Sequence, residues 1–185
     1  MGALMGGLAA APARAEPVVF DRIVAVVGPR PLLLSELRAR AAPMVAKLDQ
    51  VALAPAARAK SERALVDEVL QHLIDAELVA QAAARAGVEV TSVQIDAGLA
   101  RVAAQNRVSV REILVEAQKQ GFSEALYREE IARQIREVEM LQLRPLPSGV
   151  KLEGLDDRGR LEMLERVRRT WLAELRRATY VEIRL

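Results

Sequence analysis

The last seven residues, Thr179-Tyr-Val-Glu-Ile-Arg-Leu185, set Val181, Ile183 and Leu185 in alternation with Glu182 and Arg184. Period-two alternation marks a half-buried strand, and a strand must find a partner for its backbone groups. None is near, because the preceding residues read as helix for most of the chain. The one other strand-like run lies at the opposite end. Val18 to Val27 is rich in β-branched residues, apolar on both faces in its second half, and closed by Gly28-Pro29-Arg30-Pro31. A run of that kind suits a strand with a neighbour on each side. The two chain ends are therefore expected to meet in one small sheet. Leu32-Leu33-Leu34 follows the turn and supplies a short hairpin partner, which must lie at an edge because Pro31 has no N–H for a ladder.

Everything between reads as helix. Ser35 is a plausible N-cap for a helix running towards Asp49, with Pro43 expected to disturb it. The Ala/Pro-rich stretch from Ala52 to Lys60 reads as a loop. Ser61 then opens a long amphipathic helix with Leu65, Val69, Leu73, Ala76 and Ala80 on one stripe, stopped at Gly87. Thr91-Ser-Val-Gln94 and Ser109-Val-Arg-Glu112 are capping boxes, in which hydroxyl and N3 side chain satisfy each other's orphan amides. They open helices carrying Ile95, Leu99 and Val102, and Ile113, Leu114 and Ala117, the second ending at Gly121. Ser123 begins a further helix with Leu126, Ile131, Ile135, Val138 and Leu141 on one face. Arg144-Pro-Leu-Pro-Ser-Gly149 breaks the pattern. Asp156-Asp157 caps the last helix, whose stripe is Leu161, Leu164, Val167, Trp171 and Leu175. The fold class expected is mainly α: a helical bundle with a small β-sheet pairing the N-terminal hairpin with the C-terminal strand.

With 51% apolar, 28% charged and only 3% aromatic residues, the core must be built from Leu, Val, Ile and Ala. No apolar run approaches the roughly 20 residues of a membrane-spanning helix, so no membrane insertion is expected. Basic and acidic residues nearly balance, 27 against 25, without the positive field of a dedicated nucleic-acid binder. The final helix carries Arg158, Arg160, Arg166, Arg168, Arg169, Arg176 and Arg177. They are interleaved with Glu162, Glu165 and Glu174, so a docked helix with arginine stems over apolar surface is the better reading.

Zero cysteines and a single histidine leave no thiolate nucleophile and no multi-histidine metal site. His72, beside Glu68 and Asp75, reads as a partly buried structural residue. The acidic pairs Glu129-Glu130 and Asp156-Asp157 read as solvated or capping groups, and no phosphate-binding glycine motif follows a strand. No catalytic residue, cofactor or metal is expected.

Residues 3–11 are small and weakly apolar, and Ala13-x-Ala15 fits a signal-peptidase site with the cut between Ala15 and Glu16. A basic n-region is missing and is expected upstream of Met1. Residues 1–15 are thus read as a signal-peptide remnant and the mature protein as exported.

The order of elements resembles the SurA-type periplasmic folding factors. Asp21-Arg-Ile-Val-Ala-Val-Val27 with Leu33-Leu-Ser-Glu-Leu37 is similar to that family's opening strand and hairpin. Gly87 through Asp96, Ala104-Gln-Asn106 and Gly121-Phe122 through Tyr127 are similar to the middle of its N-terminal domain. The Trp171 helix with Tyr180-Val-Glu-Ile183 is similar to its closing segment. The resemblance implies a helical chaperone domain over 16–144 and a closing helix and strand over 156–185. Between them the family usually carries one or two parvulin-type prolyl isomerase domains, where this chain has only a linker over 145–155.

A non-enzymatic, ATP-independent periplasmic chaperone is implied, with unfolded or extended polypeptides as clients, outer-membrane protein precursors among them. The groove walls are expected at residues 36–48 and 126–143, with the final helix as brace. Met44, Leu48, Met140, Leu143 and Met163 are the client-contact candidates, the methionines because flexible thioethers adapt to many partners. The same side chains also serve as ordinary core. A monomer or a domain-swapped dimer is expected. The rival reading is a helical adaptor or assembly subunit with one specific protein partner. A cytosolic nucleic-acid binder would require Met1 to be retained.

Overall fold

The computed structural model describes residues 21–52, 54–146 and 155–184. The expected signal segment, residues 18–20 of the expected opening strand and most of the 145–155 linker lie outside them. In chain order the elements are β1 (Ile23–Val27), β2 (Arg30–Leu33), α1 (Leu34–Leu48), α2 (Pro55–Arg85), α3 (Ser92–Asn106), α4 (Val110–Lys119), α5 (Glu124–Gln142), α6 (Asp157–Ala178) and β3 (Val181–Ile183).

The strands form one antiparallel sheet in the order β2-β1-β3. The hairpin turns on Gly28-Pro29. Gly28 has φ +55, and a positive φ followed by the fixed negative φ of proline is the pairing of signs that a type II′ turn needs. Pro31 sits on the edge strand, opposite Val26. On the other side Ala25, Val26 and Val27 face Ile183, Glu182 and Val181. The ladder is extended by Gly28 N–H to the Tyr180 carbonyl and Arg184 N–H to the Val24 carbonyl, both at 2.8 Å. Head and tail of the described chain therefore meet as the alternation at residues 179–185 demands. Val24, Ala25 and Val27 are fully buried, which is the burial of a central strand covered by helices.

Several helix boundaries differ from the reading of the sequence. α1 starts at Leu34 with Leu33 in the N-cap position, whose N–H donates to the Glu36 carboxylate at 3.0 Å. Ser35 instead bonds backward to Asp21 through its N–H and its hydroxyl. Pro43 does not break α1. It removes a donor from the Ala39 carbonyl, but Ala39 is exposed and water can replace that bond. Its ring is buried under the turn at Gly121, where an added Cβ would come 3.6 Å from it.

α2 begins at Pro55, inside the stretch read as loop, and Ser61 lies within the helix. Proline at the first helical position gives up only an amide that has no partner there in any case. With 31 residues the helix is about 46 Å long at ~1.5 Å per residue, and β1, α1, α5 and α6 all pack on it. Its buried surface includes Leu70, Ile74, Leu78 and Val79, far wider than one stripe, as befits a central helix. Gly87, at φ +70, ends it as expected.

Both capping boxes are present, with Gln94 N–H donating to the Thr91 hydroxyl at 3.3 Å and Glu112 N–H to the Ser109 hydroxyl at 3.2 Å. Ser123 caps α5, and Asp156 caps α6 by accepting from Gly159 N–H at 2.8 Å. α3 crosses α5 at Gly98, where an added Cβ would sit 2.7 Å from the Ile131 side chain.

The main core joins the sheet to Leu37 of α1, Leu70, Ile74 and Leu78 of α2, Met140 of α5 and Trp171 of α6. Two stripes include exposed members. Val138 of α5 is 53% exposed, and Leu161 and Leu164 of α6 are 69% and 39% exposed. The buried residues of α6 begin at Val167 and continue with Trp171, Leu172 and Leu175.

Candidate functional site

α1 and α5 both lie on α2 and leave a trough between them, floored by α2. Its wider end, about 420 Å³, is lined by Arg30, Leu32, Glu77, Ala80 and Arg136 among others. The narrower end, about 300 Å³, is lined by Met44, Val69, His72 and Phe122. The two ends share Arg40, Leu73, Ala76 and Arg133. From Val69 to Ala80 the floor runs about 16 Å at ~1.5 Å per residue.

The ends differ in chemistry. At the narrow end Met44 is 44% exposed over a floor of buried Val69 and Leu73, with Phe122 half-buried beside them. The wide end is ionic. Arg30 donates from Nη1 to Glu77 and from Nη2 to Glu36, each at 2.8 Å. Gln81 Nε2 donates to the other Glu77 oxygen at 2.8 Å and to the Val27 carbonyl at 2.9 Å, pinning α2 to the hairpin turn. Glu77 is the only buried charged residue among the described residues, and two donors hold it there. Arg136 lines the same end, half-buried, and has no ion-pair or hydrogen-bond partner among the described residues.

Between the ends an ionic strap crosses from wall to wall. Arg40 of α1 reaches Glu129 at 2.7 Å and Glu130 at 3.6 Å on α5. From there the chain of charges continues through Arg133 and Glu137 to Arg168 of α6. Burial alone would push the Glu130 carboxyl up, but the hydrogen bond and charge of Arg133, with Arg40 behind, hold it below its ordinary value. Arg133 is raised by the same bond against the opposing effect of burial. α6 is further docked by Arg176, which donates to Asp75 at 2.8 Å and Gln71 at 2.9 Å on α2. The remaining arginines of α6 do not share one role: Arg158 pairs along its own helix with Glu162 at 2.9 Å, and Arg169 is exposed.

The five contact candidates read from the sequence do not gather in one place. Met44 lines the trough. Leu48 closes α1, half-buried and away from the trough lining. Met140 is 2% exposed inside the main core, so its thioether packs rather than presents. Leu143, 63% exposed, follows the last turn of α5, and Met163 is half-buried in the first half of α6. His72 is not partly buried: its side chain is 61% exposed at the trough rim, with Nε2 3.7 Å from Glu68. Phe122, Arg40, Arg133 and Arg136 were missed. Phe122 had a signal, as one of two phenylalanines in the chain and placed directly after a turn glycine. The arginines had none, since each is one of many.

No helix among the described residues is long and apolar enough to cross a membrane, and no group of three metal-ligating side chains is gathered among them. An open trough between two helices laid on a third, with β1 and β3 paired in a sheet packed on that third helix, is the geometry of a helical binding scaffold. The SurA N-terminal domain family matches residues 20–144, and the chain belongs to that family. Among curated relatives, Chaperone SurA of Legionella pneumophila (strain Lens) is 31% identical over 117 residues, 63% of this chain and 26% of its own. Chaperone SurA of Dechloromonas aromatica is 31% identical over 134 residues, 71% of this chain and 30% of its own. That of Cupriavidus pinatubonensis is 32% identical over 122 residues, 66% of this chain and 24% of its own. This chain thus spans about a quarter of the length of the curated relatives it matches.

Proposed function

We propose that this chain is an ATP-independent periplasmic chaperone that holds unfolded or extended polypeptides, with outer-membrane protein precursors among its clients. The observation that carries the reading is the trough between α1 and α5, open along one side and apolar at the end lined by Met44 and Phe122, in a chain of the SurA N-terminal domain family. An extended segment laid there offers side chains to the Met44 end while its polar groups face the ionic end. Each contact is weak and adaptable, so a client is held against aggregation and released without an energy source. Met44 is the leading contact. Leu48, Leu143 and Met163, outside the trough, extend the apolar surface a long client can touch, and Met140 supports that surface from the core.

In this reading residues 16–144 are the chaperone domain, 145–155 a linker at the place where the resemblance implies isomerase domains for the family, and 156–185 the brace and clasp. The chain performs no catalysis of its own. It reaches the periplasm by a signal cut between Ala15 and Glu16. It acts as a monomer, or as a dimer in which β3 completes the sheet of a second copy.

Suppression of aggregation by the full chain, measured with two unrelated unfolded proteins, tests the function. Protection of both is expected, whereas an adaptor built for one partner protects neither. Mass spectrometry of the chain recovered from its native cell tests the export: a mature start at Glu16 is expected, and retention of Met1 overturns it.

A further inference from the structure

We propose that the trough selects an extended segment of about five residues with an apolar side chain at one end and a carboxylate at the other, the carboxylate pairing with Arg136. This rests on the holding function above and adds to it the chemistry of the segment held.

The length follows from the floor. About 16 Å of α2 between Val69 and Ala80 takes five residues at ~3.3 Å each in extended backbone. The polarity follows from the two ends. Met44, Phe122, Val69 and Leu73 make the narrow end a receptacle for an aliphatic or aromatic side chain. At the wide end the charged groups are nearly all engaged. Arg30 is held by Glu36 and Glu77, Arg40 by Glu129 and Glu130, and Arg133 by Glu130 and Glu137. Arg136 alone of the four arginines lining this end has no partner among the described residues.

Arg136 is half-buried as a residue, and a guanidinium with no protein partner gains most from a carboxylate, which it can meet through two parallel N–H···O bonds. A backbone carbonyl or an amide accepts only neutral bonds, roughly half as strong. The ionic strap of Arg40 separates the two ends, so the apolar and acidic groups must be spaced along the segment rather than adjacent.

The test uses the full chain and two labelled nine-residue peptides, each with a leucine four positions from an acidic or amide residue in a Gly/Ser background. The peptides differ only in Asp against Asn, and binding is read by fluorescence anisotropy at low salt. The Asp peptide is expected to bind about fivefold tighter, a preference that Arg136→Gln abolishes and Arg169→Gln on the exposed face of α6 leaves intact. Arg136→Glu is expected to reverse the preference in favour of the Asn peptide, and thermal melts establish that the variants are folded. Equal binding of the Asp and Asn peptides, or a preference that survives Arg136→Gln, overturns the proposal. Failure of every peptide alongside protection of both clients in the aggregation assay overturns the trough assignment and leaves the holding function standing. Selective, Arg136-dependent peptide binding without client protection does the reverse.

Discussion

Arg30 Nη1 lies 2.8 Å from Glu77 Oε2, joining the hairpin to the middle of α2 across 47 residues of sequence. The Glu77 side chain is 8% exposed whereas that of Arg30 is 50% exposed, so the pair is buried on one side only. Burial of Arg30 opposes its charge, yet Glu77 first and Glu36 second raise its pKa above the ordinary value. Arg30→Ala leaves the Glu77 carboxylate with Gln81 alone. Removing a partner from a buried pair costs about 3–5 kcal/mol, and the exposure of Arg30 reduces this to about 2 kcal/mol. Urea denaturation of Arg30→Ala should show that loss, with Arg30→Ala/Glu77→Gln recovering part of it because no unpaired charge remains.

Deleting residues 179–185 should uncover the second edge of β1. The backbone groups of Val24, Val26 and Gly28 that pair with Arg184, Glu182 and Tyr180 then lose their partners. A few backbone bonds at about 1 kcal/mol each amount to about 3 kcal/mol, or about 6–12 °C in Tm for a chain of this size. The bared edge should also promote association. Thermal melts with light scattering measure both, and an unchanged Tm would refute the clasp.

Gly98→Ala is a contest between two effects. Alanine improves an exposed helix by about 1 kcal/mol, but here its Cβ would come 2.7 Å from Ile131, whose side chain is buried and branched at that carbon. Overpacking of this kind costs about 1–3 kcal/mol. Net destabilisation of about 1 kcal/mol is expected. It should vanish in Gly98→Ala/Ile131→Ala when each is compared with its own Ile131 background by chemical denaturation.

On β3 the Glu182 carboxyl is drawn down to about 2 by hydrogen bonds from Arg184 and then Tyr180. A depressed folded pKa favours the fold above the unfolded carboxyl value and forfeits that contribution as pH falls towards 2. Because the group is exposed, the effect should appear in its own titration rather than in global stability. Carbon-detected NMR should place the Glu182 midpoint well below those of the other glutamates. Arg184→Ala should move it upward, and an unshifted midpoint would contradict the bonding seen here.

How much could be read in advance follows the range of each interaction. The boxes at Thr91–Gln94 and Ser109–Glu112, the caps at Ser123 and Asp156, and the stop at Gly87 were legible because donor and acceptor lie within four residues. α2 was misread at its start for the same reason inverted. Pro55 and Ser61 are both valid openings; residues 55–60 are exposed, so the earlier start rests on proline at the first helical position and on the helix-forming Ala56, Ala57 and Ala59 rather than on burial. Leu161 and Leu164 continue the periodicity of α6 without being buried, since periodicity defines a face and says nothing of what stands opposite.

By itself the sequence determined the helical elements, most of their ends, and the meeting of head and tail, since the apolar alternation around Val181 had one possible partner in the chain. Tertiary structure alone decided the trough, because its walls lie about ninety residues apart and meet only by both resting on α2. It alone distinguished Arg40, Arg133 and Arg136 from the other arginines, because a guanidinium's role depends on which carboxylates are brought within 4 Å, and no local pattern encodes that distance.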